Sequence, residues 1–219
     1  SDVYKRQNYL CSFSWLAKLS MCFLLLGSFP GGDVKAQEVI VLGSTEAVVS
    51  WMKAENWWGD EQLGAPLQVP RTMITGITQG WAKNSAKLPV AQKKEIFYRF
   101  MVPLVVHAND MVLDRREKLK SMDSRLANNE SLSPNEMEWL GQVAYMLRVI
   151  QLGDHAKKNS KELRAIISQV LYKLDVIPVG LVLGQAAYES GYGSSRFASE
   201  GNALFGQWTY GGDGMIPVE

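Results

Sequence analysis

One carboxylate in this sequence stands out by its setting. Glu189 follows Val179, Leu181, Val182, Leu183, Ala186 and Ala187, a run opened by Pro178 and closed by Gly191. Proline suits the first turn of a helix and glycine its stop. The spacing therefore predicts a helix that is apolar nearly all round and so buried, with Glu189 at its C-terminal end. A carboxyl in apolar surroundings is disfavoured in its charged form, which raises its pKa. An acid still protonated near neutral pH is what protonation of a glycosidic oxygen requires. Glu189 is thus the candidate general acid of a glycoside hydrolase.

The residues that follow change character. Tyr192, Gly193, Ser194, Ser195, Arg196 and Phe197 lead to Gly201, Asn202, Phe205, Gly206, Trp208, Tyr210, Gly211, Gly212 and Gly214. Aromatic faces and amides suit sugar rings bearing N-acetyl groups, and glycines let a backbone approach a ligand closely. The same composition also describes a glycine-rich connector whose aromatics pack into the core, and pattern alone does not separate the two. Gly191-Tyr192-Gly193 is not a dinucleotide fingerprint, because it follows a helix rather than a strand and Arg196 stands in place of the third glycine.

Other chemistries find little support. Only His107 and His155 could offer imidazole, far apart and outside any H-E-x-x-H pattern. His107 reads as a core or surface histidine on a helix. Cys11 and Cys22 both lie in an N-terminal apolar stretch, so the chain from Gln37 onward has no thiol for a disulfide or a metal site. No metal and no organic cofactor is expected. No Cys, Ser-His or metal constellation supports amidase chemistry. With 23 Lys and Arg against 22 Asp and Glu, there is no basic field to draw in nucleic acid. At 47% hydrophobic and 21% charged residues, the composition is that of a globular protein.

Several elements must position Glu189. Residues 1–36 read as a leader: Lys18 precedes Met21, Phe23, Leu24, Leu25 and Leu26, then Gly27, Pro30, Gly31 and Gly32 break the run before an Ala36 cleavage site. An uncleaved anchor across residues 9–29 is the alternative, and would tether the chain to a membrane. Ser44 caps a helix through Val48, Trp51 and Met52; residues 59–71, with Gly64, Pro66 and Pro70, form a loop. A long helix starts near Pro89, with Phe97, Met101, Leu104, Met111 and Leu119 on one face and a kink or break at Pro103. Ser133-Pro134-Asn135-Glu136 opens a helix reaching about Gly153, and Ser160 opens another through Leu163, Ile166, Ile167, Val170 and Leu174. The fold class is all-α.

Ala186-Ala187-Tyr188-Glu189-Ser190-Gly191-Tyr192-Gly193, then Ser195, Phe197, Ala198 and Asn202-Ala203-Leu204-Phe205-Gly206-Gln207-Trp208, resembles the Bax-type branch of bacterial β-N-acetylglucosaminidases. These are relatives of the flagellar and autolysin glucosaminidases. Leu104-Val105-Val106-His107-Ala108-Asn109-Asp110 is similar to the helical region of that branch. The resemblance runs from about residue 40 to the end and is sharpest over residues 184–208. It implies a lysozyme-like fold with a helical lobe, a small β-hairpin lobe and a glycan cleft. Residues 37–130 then form a helical N-terminal region and 131–219 the glucosaminidase domain, with the hairpin lobe missing or truncated at the C-terminus. The family's acid matches Glu189, and Asn202, Leu204, Phe205 and Gly206 match the motif beside it. Tyr192 stands where Trp is common, and Ala203 where a second Asn is common.

The implied activity is hydrolysis of the β-1,4 bond after N-acetylglucosamine in peptidoglycan glycan strands, in the periplasm or cell envelope of a bacterium. Tyr192, Ser194, Asn202, Phe205 and Trp208 are the candidate substrate-binding residues. Asp213 is the candidate second acid within the sequence, and Glu200 reads as a surface charge; otherwise the family's second acid is expected past residue 219, or the substrate's own N-acetyl group does its work. A muramidase or lytic transglycosylase on the same fold is the alternative within enzymes. A non-catalytic glycan-binding or scaffold protein is the alternative outside them.

Overall fold

The computed structural model describes residues 38–59, 68–75, 78–201, 203–206 and 214–215. The leader at 1–36 and the candidate site residues Asn202, Trp208 and Asp213 lie outside the described residues. The described chain is mainly helical. It forms two compact units, one from the residues up to Leu104 together with those from Gly180 onward, the other from Val105–Val179.

In the first unit, β1 (Glu38–Val41) pairs in parallel with β2 (Thr72–Thr75), with Ile40 opposite Ile74. Alternation along β1 leaves Val39 and Val41 exposed while Ile40 packs inward. Helices α1 (Thr45–Ala54), α2 (Thr78–Ser85) and the first part of α3 (Val90–Ala127) pack into this core. Val48, Met52, Trp57, Ile74, Trp81, Ile96, Phe97 and Met101 are buried in it, together with Ala186 and Ala187. Arg99 ties α3 to the end of α1. Its guanidinium donates to the carbonyls of Trp57 (3.0 Å) and Gly59 (2.8 Å) and to Glu95 (3.0 Å), and it lies over the rings of Trp57 and Trp58. The Trp57 indole returns a bond to the Arg99 carbonyl at 2.8 Å.

The second unit contains the rest of α3, α4 (Pro134–Met146), a 3-10 turn at Asp154–Lys157 and α5 (Ser160–Lys173). Leu119, Met122, Leu126, Leu140, Val143, Leu163, Ile167 and Val170 close its core. Capping boxes open both later helices, Ser133 with Glu136 and Asn159 with Glu162. From α3, Asn109 and Arg116 hold the segment beyond α5. Asn109 exchanges two hydrogen bonds with the Ile177 backbone, and Arg116 donates to the carbonyls of Leu171 and Leu174.

One expected helix bound changes, and one of the two alternatives at Pro103 is removed. The helix runs through Pro103 without a break; the first unit ends at the next residue, Leu104. The helix expected to reach Gly153 ends at Met146, because Arg148 takes a left-handed conformation (φ 54°) and the Val149 amide bonds back to the Ala144 carbonyl. That is a Schellman stop without glycine, and Lys173 completes it by donating to the carbonyls of Leu147 and Arg148. Asn56 and Asn129 end α1 and α3 in the same way.

Candidate active site

Glu189 lies one residue before the end of α6 (Val179–Ser190). This helix is not buried all round. Leu183, Ala186, Ala187 and Ser190, spaced by three and four residues, form its inner stripe. Leu181 is 61% exposed and Tyr188 90% exposed, with Gln185 and Glu189 on the exposed side as well. Hydrophobic content predicts burial only when the large side chains share the inner stripe. Here small residues fill that stripe and bring the helix backbone close to the first core, while Leu181 and Tyr188 face away.

The chain leaves α6 through a tightly specified turn. Gly191, Tyr192 and Gly193 all have positive φ, at 58°, 58° and 73°. The Tyr192 amide bonds to the Ala187 carbonyl at 2.9 Å, a Schellman closure. The buried Ser190 hydroxyl donates to the Ala186 carbonyl and accepts from the Gly193 amide at 2.7 Å. From α2, the Trp81 indole N–H donates to the Tyr192 carbonyl at 2.7 Å. A Cβ on Gly193 would stand 3.2 Å from Trp81 Nε1 and 3.4 Å from Phe97 Cε2, so the turn needs glycine for space as well as for φ.

Beyond the turn, Ser195 caps α7 (Arg196–Gly201) by accepting from the Ala198 amide at 3.2 Å. The Ala203 amide then bonds to the Phe197 carbonyl at 3.0 Å, and Leu204 and Phe205 pack against the first core. These anchors carry residue 206 back to the catalytic candidate. The Gly206 N–H donates to Glu189 Oε2 at 2.6 Å. Gln185, one turn earlier on α6, donates through Nε2 to Glu189 Oε1 at 3.0 Å. Each carboxylate oxygen thus has its own neutral donor.

This arrangement reverses the expected electrostatics. The Glu189 carboxyl sits below its ordinary pKa, first through the Gln185 hydrogen bond and then through the Gly206 amide; desolvation opposes them but is smaller. The expected rise required an apolar pocket, and the side chain is exposed instead. The isolated site therefore holds Glu189 as a carboxylate at neutral pH.

Over 138 residues, 58% of the chain, the sequence is 30% identical to Protein bax of Escherichia coli (strain K12). The chain spans about half the length of that relative, with 46% of it covered. No protein-family profile matches the chain. No solved structure matches it. The similarity to Protein bax agrees with the Bax-type resemblance noted from the sequence.

Of the other site residues singled out from sequence, three are described. Tyr192 is half-buried, edge-on to Phe97 (5.6 Å) and Tyr98 (5.9 Å), with Lys94 Nζ 5.3 Å from its ring centre. Burial pushes the Tyr98 hydroxyl up, helped by its hydrogen bond with Tyr192. Ser194 accepts from Lys93 Nζ at 2.8 Å and donates to the Gly191 carbonyl at 2.6 Å. Phe205 packs against the core while staying partly exposed. Glu200 pairs loosely with Arg196 on α7 at 3.7 Å. His107 is half-buried on α3. Gln185, Trp81 and Lys93 were not singled out from sequence. Gln185 carried a usable signal, since it precedes Glu189 by four residues on one helix, the spacing at which side chains meet.

Proposed function

We propose that this chain is a cell-wall glycoside hydrolase of Bax type. It would cleave the β-1,4 bond after N-acetylglucosamine in peptidoglycan, with Glu189 as the proton donor. The observation that carries this reading is the presentation of Glu189. It is an exposed carboxyl at the end of a helix seated on the core, with both oxygens fixed by donors from α6 and from the motif loop at 203–206. Such fixing places an acid for proton transfer without reorganisation. The donors favour the carboxylate while the site is open to water. A glycan lying over Glu189 excludes that water, and desolvation shifts the balance toward the acid form. Tyr192, Ser194 and Phe205 flank the turn that follows Glu189 and are proposed to line the sugar path, together with Asn202 and Trp208. Peptidoglycan strands as partner, and export to the periplasm or cell envelope, belong to the same proposal.

The test is the new reducing end. Purified peptidoglycan is digested with the chain, the released glycans are reduced with borohydride, and their terminal sugars are identified by mass spectrometry without further hydrolysis. N-acetylglucosaminitol supports the proposal. Muramitol, or an anhydro-muramic product, would mean a muramidase or a lytic transglycosylase.

A second reading is favoured by one observation. The low carboxyl pKa of Glu189 suits a residue that stays ionised and accepts hydrogen bonds from sugar hydroxyls, as in a non-catalytic glycan-binding protein. Co-sedimentation with insoluble peptidoglycan, with no sugar released, would select it.

A further inference from the structure

We propose that Gln185 is the positioning residue of the site and selects Glu189 Oε1 as the oxygen that carries the transferable proton. This inference rests on the reading of Glu189 as a general acid. It follows from the two donors having different chemistry. The Gly206 N–H, 2.6 Å from Oε2, is a backbone amide and can only donate. Oε2 must therefore remain an acceptor in both protonation states, which makes it the carbonyl oxygen of the protonated form. Gln185 differs because a carboxamide has a donor end and an acceptor end. With Glu189 ionised, Gln185 Nε2 donates to Oε1 at 3.0 Å. When a proton arrives on Oε1, rotation of the amide about its last torsion presents its carbonyl oxygen to accept from that new O–H. One side chain thus serves both states, and the proton has one defined place.

The placement of Gln185 fits this task. It lies on the exposed side of α6, away from Ala186, Ala187 and Ser190, so it contributes nothing to the core. It is four residues before Glu189, so the helix itself sets the pair and the contact does not depend on where a loop lies. The charged groups on the elements around the turn are engaged elsewhere. Lys93 holds Ser194, Lys94 lies over Tyr192, and Arg196 faces Glu200. None of them is among the groups that shift the Glu189 carboxyl, which are Gln185, Gly206 and desolvation.

The experiment uses the whole chain with Gln185→Met, which keeps the length and removes both polar ends, and Gln185→Glu, which sets a second carboxyl against the first. The Glu189 side-chain carbon is followed by 13C NMR across the acid range, its resonance assigned by its loss in Glu189→Gln. Both variants should move the Glu189 midpoint upward, Gln185→Glu further than Gln185→Met, with thermal unfolding unchanged. In glycan digestion, a general acid is active while protonated. The alkaline limb of the pH–rate profile should therefore move to higher pH in Gln185→Met. Its plateau kcat should fall about tenfold, with KM unchanged, because the proton is no longer held in one place. A Glu189 midpoint that stays at the wild-type value in both variants would overturn the proposal. A shifted midpoint in a protein whose wild type releases no sugar would remove the glycosidase reading while leaving Gln185 as the group that sets the protonation of Glu189.

Discussion

Replacing Gly193 by alanine tests the turn that presents the site. Two effects act at this position. The backbone has φ 73°, a left-handed conformation that disfavours a residue with a Cβ by about 1 kcal/mol. The added Cβ also meets Trp81 Nε1 at 3.2 Å and Phe97 Cε2 at 3.4 Å. Both are core residues with little room to move. The indole N–H that must give way is the one holding the Tyr192 carbonyl at 2.7 Å, and weakening that bond adds about 1 kcal/mol. The sum is about 2 kcal/mol. Gly191→Ala is the control. Its φ of 58° brings the same backbone effect, but the nearest atom to its Cβ is Ser194 Oγ at 3.6 Å, an ordinary contact. Thermal unfolding followed by circular dichroism should show Gly193→Ala lower by about 4–8 °C and Gly191→Ala by about 2–4 °C. Equal losses in the two variants would refute the argument, since the difference between them isolates the crowding against Trp81.

Other consequences follow from the second unit. The Glu136 carboxyl is lowered to about 2, chiefly by its hydrogen bond from Arg125. A depressed folded pKa stabilises fully above the ordinary value of 4.5 and loses that contribution as pH falls toward 2. After allowance for solvent screening, this amounts to about 2 kcal/mol. Urea unfolding at pH 7 and pH 3 should show a smaller pH-dependent loss in Glu136→Gln than in the wild type. Gly141→Ala places a Cβ 2.1 Å from Nδ1 of the buried His155. It should destabilise by about 3 kcal/mol, read as a lower urea midpoint. Tyr188→Ala removes a side chain that is 90% exposed and should leave the unfolding temperature within about 2 °C of wild type.

Helix starts were legible because their signals are local. Ser44, Pro89 and the Ser133-Pro134-Glu136 box stand at the openings of α1, α3 and α4, and α5 opens at Ser160 as expected, with Asn159 as its cap. Helix ends were less legible. Arg148 in a left-handed conformation leaves no compositional mark, and its stop depends on Lys173 from another helix. β2 and α2 escaped for a related reason. Thr72–Thr75 is a strand only because it pairs with β1, and α2, with Gly80 inside it, is fixed by Trp81 in the core. At the site, the position of Glu189 at the end of α6 was readable, but its electrostatics was not. Counting apolar residues along α6 says how hydrophobic the helix is, not which way it faces. The direction was set by the small stripe Ala186, Ala187 and Ser190, and it left Glu189 exposed to two donors.

The central claim is that Glu189 donates the proton in glycan cleavage. Its most direct test is digestion of purified peptidoglycan by the wild-type chain and by Glu189→Gln, side by side, with new reducing ends counted. Glutamine keeps the size and can still accept the Gly206 amide, so the fold should survive and its unfolding curve should overlay the wild type. The account predicts N-acetylglucosamine reducing ends from the wild type and a loss of at least about a hundredfold in Glu189→Gln. Release at the wild-type rate by Glu189→Gln would contradict it.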